Sequence, residues 1–328
     1  MRWRLWTVWL ALIGPAIPVS AHAAAAQPAD NAAFAADFAK LQQQDAYIQR
    51  IGWRLLTGNA AFCDETRLAS GMLVQDAGAY GHPAAIRQLL SLRGDAFVQA
   101  VIPGSGADQA GMEAGAEVHA VDRTPLSGIA LPPDTPWQRL TTFNAVIARS
   151  LADDGTARFQ VTQRGAQHML TVAGTAICDS FFEVISGSDT ASANGTRIAI
   201  GRQFVGFAYA QEELAAALAH ELAHNVLAHP DWLDKNGRKR SNIRQTEREA
   251  DRLMPWLLHN AGYDSAASVR FMERWGPQHD GGFFRRRTHD AWEKRRAMIA
   301  AELPRIAASL NHQGQADWRG NFIPQFTR

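Results

Sequence analysis

One helical stretch constrains the chain more than any other segment. Residues Glu212 to His229 read EELAAALAHELAHNVLAH. Alanine and leucine dominate it, and both are strong helix formers. The pattern predicts one continuous helix, stopped by Pro230, which has no N–H to give the next turn. Inside it lies His220-Glu221-Leu222-Ala223-His224. Imidazoles four residues apart share a helix face, so both can reach one ion. Glu221 follows the first imidazole directly, where it can touch water on that ion instead of the ion itself. Ala216, Ala217, Ala219 and Ala223 are small and let other elements pack close. His229, nine residues past His220, is expected on the opposite face in a structural role.

A hydrolytic zinc site needs a third protein ligand and an open fourth position. The string Thr246-Glu247-Arg248-Glu249-Ala250-Asp251-Arg252 supplies acids downstream. Glu247 and Asp251 are four apart and share a face, whereas Glu249 is turned about 200° from Glu247. We therefore expect Glu247 as the third ligand to one Zn²⁺ per chain. Asp251 is expected to accept a hydrogen bond from a liganding imidazole's other ring N–H. Glu249 is expected in solvent or paired with a neighbouring arginine. The chemistry of such a site is peptide hydrolysis, with Glu221 as general base.

The rest of the chain sets the context. With 33 basic and 32 acidic side chains, it lacks the broad positive charge of a nucleic-acid binder. A hydrophobic share of 46% against 20% charged excludes a mostly disordered chain. Residues 1–23 carry Arg2 and Arg4, an apolar run from Leu5 to Ile13, and Ala21-His22-Ala23. That order predicts a secretory signal, as opposed to an uncleaved anchor, and an oxidising periplasmic location. Cleavage would remove two arginines and take the net charge from +1 to −1. Past that segment no apolar run reaches the length of a membrane span. In an oxidising compartment Cys63 and Cys178 are expected to pair, closing a long loop. Asp30 to Thr57 predicts one or two amphipathic helices, ended by Gly58-Asn59. The basic run Lys235 to Arg240 reads as a solvated loop, or as a contact for an acidic partner or anionic lipid.

Between Gly71 and Val172 the texture becomes β-type, with Gly and Pro punctuation. A helix is expected over Trp137 to Leu151. Strands are expected over Phe97 to Ile102, Ala157 to Gln163 and His168 to Val172, the last two joined at Arg164-Gly165. The string VIPGSGADQAGMEAGAEVHAVDRTPL resembles the PDZ domain of bacterial proteases. The matches are Pro103, Gly104, Ser105, Ala107, Ala110, Gly111, Met112, Gly115, Val118, Val121 and Asp122. Ala116 and Arg123 depart from that pattern. Such a domain captures chain ends by strand addition and backbone N–H groups, and Ser91-Leu92-Arg93-Gly94 is the candidate carboxylate loop. The other reading is a structural spacer.

The zinc-site residues resemble the gluzincin peptidase family that contains HtpX and the CAAX-prenyl endopeptidases. The resemblance rests on His220-Glu221-x-x-His224, on Glu247-x-x-Ala250-Asp251-Arg252 and on ANGTRIAIGRQFV at Ala193 to Val205. NAGYD, FMERWG and THDAWEKR extend it, with Asp290 where the family has Pro. It covers about residues 178–299 and resembles the soluble periplasmic branch. A thermolysin-type gluzincin is the nearest competitor. The resemblance implies His289 as donor to the oxyanion, with Arg295 supporting that region, or His289 as a fourth ligand closing the site. His279 is a lesser candidate for that lid role. The strand at Arg197 to Ile200 is expected to offer an edge to an extended peptide. The loop Pro277 to Arg287 reads as a mobile lid or as a solvated turn.

The expected architecture is α+β. A mainly helical gluzincin-type zinc peptidase domain with a small sheet occupies 176–311. A β-rich PDZ-like domain is inserted at 70–175. A helical segment, 24–69, packs on the peptidase domain, and 312–328 is a C-terminal tail. The expected partners are protein or peptide substrates, misfolded envelope proteins among them, with no nucleic acid and no spanning helix in the mature chain. A closed site in a chaperone-like binding protein, and a zinc aminopeptidase, are the alternatives.

Overall fold

The computed structural model describes residues 28–279 and 290–324. The export segment expected over 1–23 lies outside them, as does the loop from 280 to 289. The first element is a single helix, α1 (Pro28–Gly58). Nothing between Asp30 and Gly58 breaks it, so of the one or two helices expected there is one. Its inner face carries Ile48, Ile51 and Leu55, all fully buried. Gly52 lies where a Cβ would come within 2.4 Å of the Phe182 ring, so its lack of a side chain sets how closely the helix approaches the sheet.

Two short strands follow, β1 (Thr66–Ala69) and β2 (Met72–Asp76), then α2 (Pro83–Leu90) and β3 (Ala96–Val101). The chain continues through α3 (Gly106–Gln109), β4 (Glu117–Val121), β5 (Thr124–Pro125) and α4 (Trp137–Asp154). A hairpin of β6 (Thr156–Gln163) and β7 (Ala166–Ala173) leads into β8 (Thr175–Cys178). Strands β2-β3-β4-β6-β7 form one antiparallel sheet in that order, with β5 on β4. Helix α4 lays Phe143, Ile147 and Leu151 into a core with Val98, Phe159, Val161 and Val172. The missing glycine at Arg123 has no cost here. The left-handed turn position falls on Asp122 (φ 51°), a residue type that tolerates it.

This β-rich unit enters and leaves at one point. Strand β1 pairs antiparallel with β8, Thr66 opposite Cys178 and Ala69 opposite Thr175. Cys63 and Cys178 are joined by a disulfide with Cα atoms 5.5 Å apart. They are 115 residues apart in sequence, for which the chain-entropy model gives about 4.8 kcal/mol.

The second half is mainly helical. Strands β9 (Phe181–Ile185), β10 (Ala191–Ala193) and β11 (Arg197–Gly201) form a small sheet in the order β10-β11-β9. Strand β11 is parallel to β9 and antiparallel to β10. The helices are α5 (Gln211–Val226), α6 (His229–Asn236), α7 (Arg240–Asn260), α8 (Ala267–His279), α9 (Trp292–Ala308) and α10 (Trp318–Asn321). The fold is mixed α+β with several sheets. No helix among the described residues is long and apolar enough to cross a membrane.

The segment expected as a tail is part of the core. Ala316, Trp318 and Phe322 are buried with Phe62 and Leu257. Trp318 Nε1 donates to buried Asn59 Oδ1 at 3.0 Å, and Asn59 Nδ2 donates to the Leu257 carbonyl at 3.0 Å. One asparagine therefore ties the end of α1 to α7 and to the C-terminal segment.

Helix α1 serves both halves. Its Ile48–Leu56 stretch joins the helical core, while Phe38 packs with Ile86, Leu92 and Phe97 of the β-rich unit. Asp45, 3% exposed, sits between them. Gln99 of β3 donates to its carboxylate, and the Val184 backbone of β9 supplies a second bond. Burial pushes the Asp45 carboxyl up, to about 7, against those hydrogen bonds; Glu183 adds to the rise and Arg202 opposes it. The folded chain therefore holds a proton that the unfolded chain releases near pH 4. That stabilisation is complete below pH 4 and is lost as pH rises toward 7, at up to about 1.4 kcal/mol per pH unit. Asp45→Asn is expected to flatten this slope, read from urea unfolding of both proteins between pH 4.5 and 8. Identical slopes would contradict it.

Candidate metal centre

Helix α5 is buried nearly all round. Leu214, Leu218 and Leu222 are fully covered, and Ala215, Ala216, Ala219 and Ala223 allow close packing on every side. Glu212 and Glu213 fall in its first turn, where they complement the helix dipole. They also pair with Arg270 and Arg274 of α8. At the other end, Asn225 accepts from the Gly195 N–H at 2.8 Å and donates to Ser180 Oγ at 3.1 Å, which pins the helix to the sheet.

The helix does not run on to His229. It stops at Val226, Ala228 turns left-handed (φ 52°), and a new helix begins with Pro230 in its first turn. Proline is suited to a helix start, where its missing N–H has no partner to lose. So Pro230 opens α6 instead of closing α5.

Helix α7 packs on α5 and brings the acids to the histidines. His220 Nε2 and His224 Nε2 lie 3.3 Å apart. Glu247 places one oxygen 3.4 Å from His220 Nε2 and the other 3.5 Å from His224 Nε2. The three residues are the group of His, Cys, Asp and Glu able to hold an ion among the described residues. His220 Nδ1 lies 3.2 Å from Asp251 Oδ1. Arg295 of α9 grips Asp251 with two bonds of 2.6 and 2.7 Å. Its Nη2 stands 3.9 Å from Glu247. Arg295 thus supports the ligand set through Asp251, where the resemblance had assigned it to the region of His289. His289 itself lies outside the described residues.

The electrostatics follow from burial and pairing. Burial works against a charge on His220, but Asp251 and Glu247 outweigh it and raise its pKa to about 10. Burial takes His224 the other way, to about 3. Burial also opposes the Asp251 charge, yet Arg295 and His220 hold its carboxyl below the usual range.

Two expectations fail on the same contact. His229 is not on the far face: its Nδ1 lies 3.0 Å from His224 Nδ1. Glu249 is not in solvent: it is 1% exposed and lies 3.1 Å from His229 Nε2. Glu249 does turn away from the ligand face of α7, but α6 stands on that side. The readable signal was Pro230, taken as the first turn of a helix.

The site opens on a cleft of about 470 Å³ that Glu221, His220, His224 and Glu247 line. Phe204, Phe271 and Trp275 form apolar walls, and β10 forms an edge. The expected strand at Arg197 to Ile200 is not that edge, because β11 is flanked by β10 and β9. His279 reaches the cleft with its ring stacked on Trp275 at 4.3 Å. Arg238 of the basic run pairs with Asp234 and stands at the cleft wall. Asp290, where the family has Pro, accepts from Arg248 of α7 at 3.0 Å. In the β-rich unit the candidate carboxylate loop is filled by the protein itself. Arg93 and Gly94 donate their N–H groups to buried Glu117, at 3.2 and 2.5 Å.

A scan against protein-family models finds no match, and a search of the curated proteins finds none either.

The buried pair should be the costly one to break. Arg295→Met leaves Asp251 without its guanidinium and is expected to cost roughly 3–5 kcal/mol in denaturant unfolding. Arg296→Met, one residue on, removes an exposed pair with Glu273 and should cost under about 1 kcal/mol. Equal losses would contradict the assignment.

Proposed function

We propose that the protein is a zinc-dependent endopeptidase, exported to the periplasm and acting on envelope proteins. One observation carries the reading. A tetrahedral ion with bonds of about 2.0–2.1 Å keeps its ligand atoms about 3.3–3.4 Å apart. His220 Nε2 and His224 Nε2 stand 3.3 Å apart, close to that spacing, and the Glu247 carboxylate spans them, one oxygen 3.4 Å from His220 Nε2 and the other 3.5 Å from His224 Nε2. Two imidazoles and one carboxylate are also the donor types of hydrolytic zinc sites, and the cleft leaves a fourth side open.

Bound zinc would acidify water and polarise the scissile carbonyl. The side chains supply the remainder. Asp251 accepts from the Nδ1–H of His220 and leaves its Nε2 free to bind. Glu221 faces the cleft beside these ligands, takes the proton of the attacking water and returns it to the leaving amine. Strand β10 pairs with β11 on one side and faces the cleft on the other, so an extended peptide can add there as a further strand. The apolar walls favour apolar side chains in that peptide.

We assign the helical half to the gluzincin type and the β-rich unit to the PDZ type. In this reading the β-rich unit is a spacer, not a chain-end receptor. The support is Glu117, whose carboxylate occupies the N–H groups a chain end would need. The disulfide is consistent with an oxidising compartment.

Glu221→Gln keeps every ligand and removes the base. It is expected to retain about one zinc per chain by elemental analysis and to lose casein cleavage by roughly 10²–10⁴-fold. Cleavage at the wild-type rate would overturn the mechanism.

A further inference from the structure

We infer that Glu249 and His229 form a buried relay that fixes the ring tautomer of His224, making them positioning residues for the metal centre. The inference rests on the zinc reading above, and it assigns work to two side chains which that reading leaves unused.

The argument starts at the far end of the relay. Glu249 is 1% exposed and His229 is 1% exposed, so water does not compete for their hydrogen bond. Glu249 is taken as the carboxylate, which only accepts. His229 must therefore carry its proton on Nε2, which lies 3.1 Å from Glu249 Oε2. A neutral imidazole has one donor and one acceptor nitrogen, so His229 Nδ1 is a bare acceptor. It faces His224 Nδ1 at 3.0 Å. His224 must then place its own proton on Nδ1 and leave Nε2 bare. That is the nitrogen aimed at Glu247 and His220. The tautomer set from the buried side is the one that can bind a metal ion.

The backbone is bent to make this contact. Ala228 takes a left-handed conformation that a residue with a Cβ adopts at a cost. The turn swings His229 back against the end of α5, and Pro230 starts α6 from there. The two liganding histidines thus have separate supports of one kind. His220 leans on Asp251 and Arg295, and His224 leans on His229 and Glu249. Both supporting acids come from α7, one residue either side of Ala250, Glu249 two residues and Asp251 one turn past Glu247. Support of this type raises ligand basicity and holds ring orientation.

The test uses the full chain. Glu249→Gln is nearly isosteric, but its amide can donate or accept, so it removes the direction of the relay without removing bulk. His229→Leu removes the contact itself. Zinc affinity, measured by competition with a chromophoric chelator, is expected to weaken roughly 10–100-fold in each. Imidazole ¹⁵N shifts of the wild type should show His229 with its proton on Nε2 and His224 with its proton on Nδ1. In Glu249→Gln that preference should fall while the unfolding midpoint stays near wild type. If the wild type binds zinc and both variants match its affinity, or if His229 carries its proton on Nδ1, this inference alone is overturned. A wild type that takes up no zinc overturns it together with the metal reading.

Discussion

A buried ion pair ties the helical half together. Asp251 lies on α7, its guanidinium partner Arg295 on α9, and the imidazole it steadies on α5. A charge removed from water needs a partner with good geometry, and Arg295 provides two parallel bonds to both oxygens. If the three helices shifted against one another, that charge would be left unpaired. The packing of α5, α7 and α9 and the alignment of His220, His224 and Glu247 are therefore one constraint. The same logic recurs one layer out, where His229 and Glu249 join α6 to α7 behind His224.

The β-rich unit is fastened to this assembly at its ends and along α1. The β1–β8 pair and the Cys63–Cys178 bridge close its base, and on α1 Phe38 packs on α2 and β3 while Asp45 meets Gln99 of β3. The spacer role proposed for it is consistent with these fastenings and with the occupied N–H groups at Arg93 and Gly94.

What the sequence disclosed was what local spacing can encode. Two histidines four apart, and two acids four apart, declare their helix faces without any knowledge of the fold. The hairpin at Arg164-Gly165 and the alternation in its strands are equally local. His229 and Glu249 escaped because their meeting depends on a left-handed Ala228, which propensity gives no reason to expect. The peptide edge was misplaced for a similar reason. Strand order is a tertiary fact, and nothing in Arg197–Gly201 says that β10 lies outside it. Asp45 is the sharpest case: nothing in its local spacing says that Gln99 of the β-rich unit covers it.

The central claim is that His220, His224 and Glu247 hold one zinc ion. A crystal structure of the zinc-loaded protein, with diffraction collected on both sides of the zinc edge, tests it most directly. The account predicts one anomalous peak per chain, about 2.0–2.2 Å from His220 Nε2, His224 Nε2 and a Glu247 oxygen. No peak at that position, or a peak held by other residues, would contradict it.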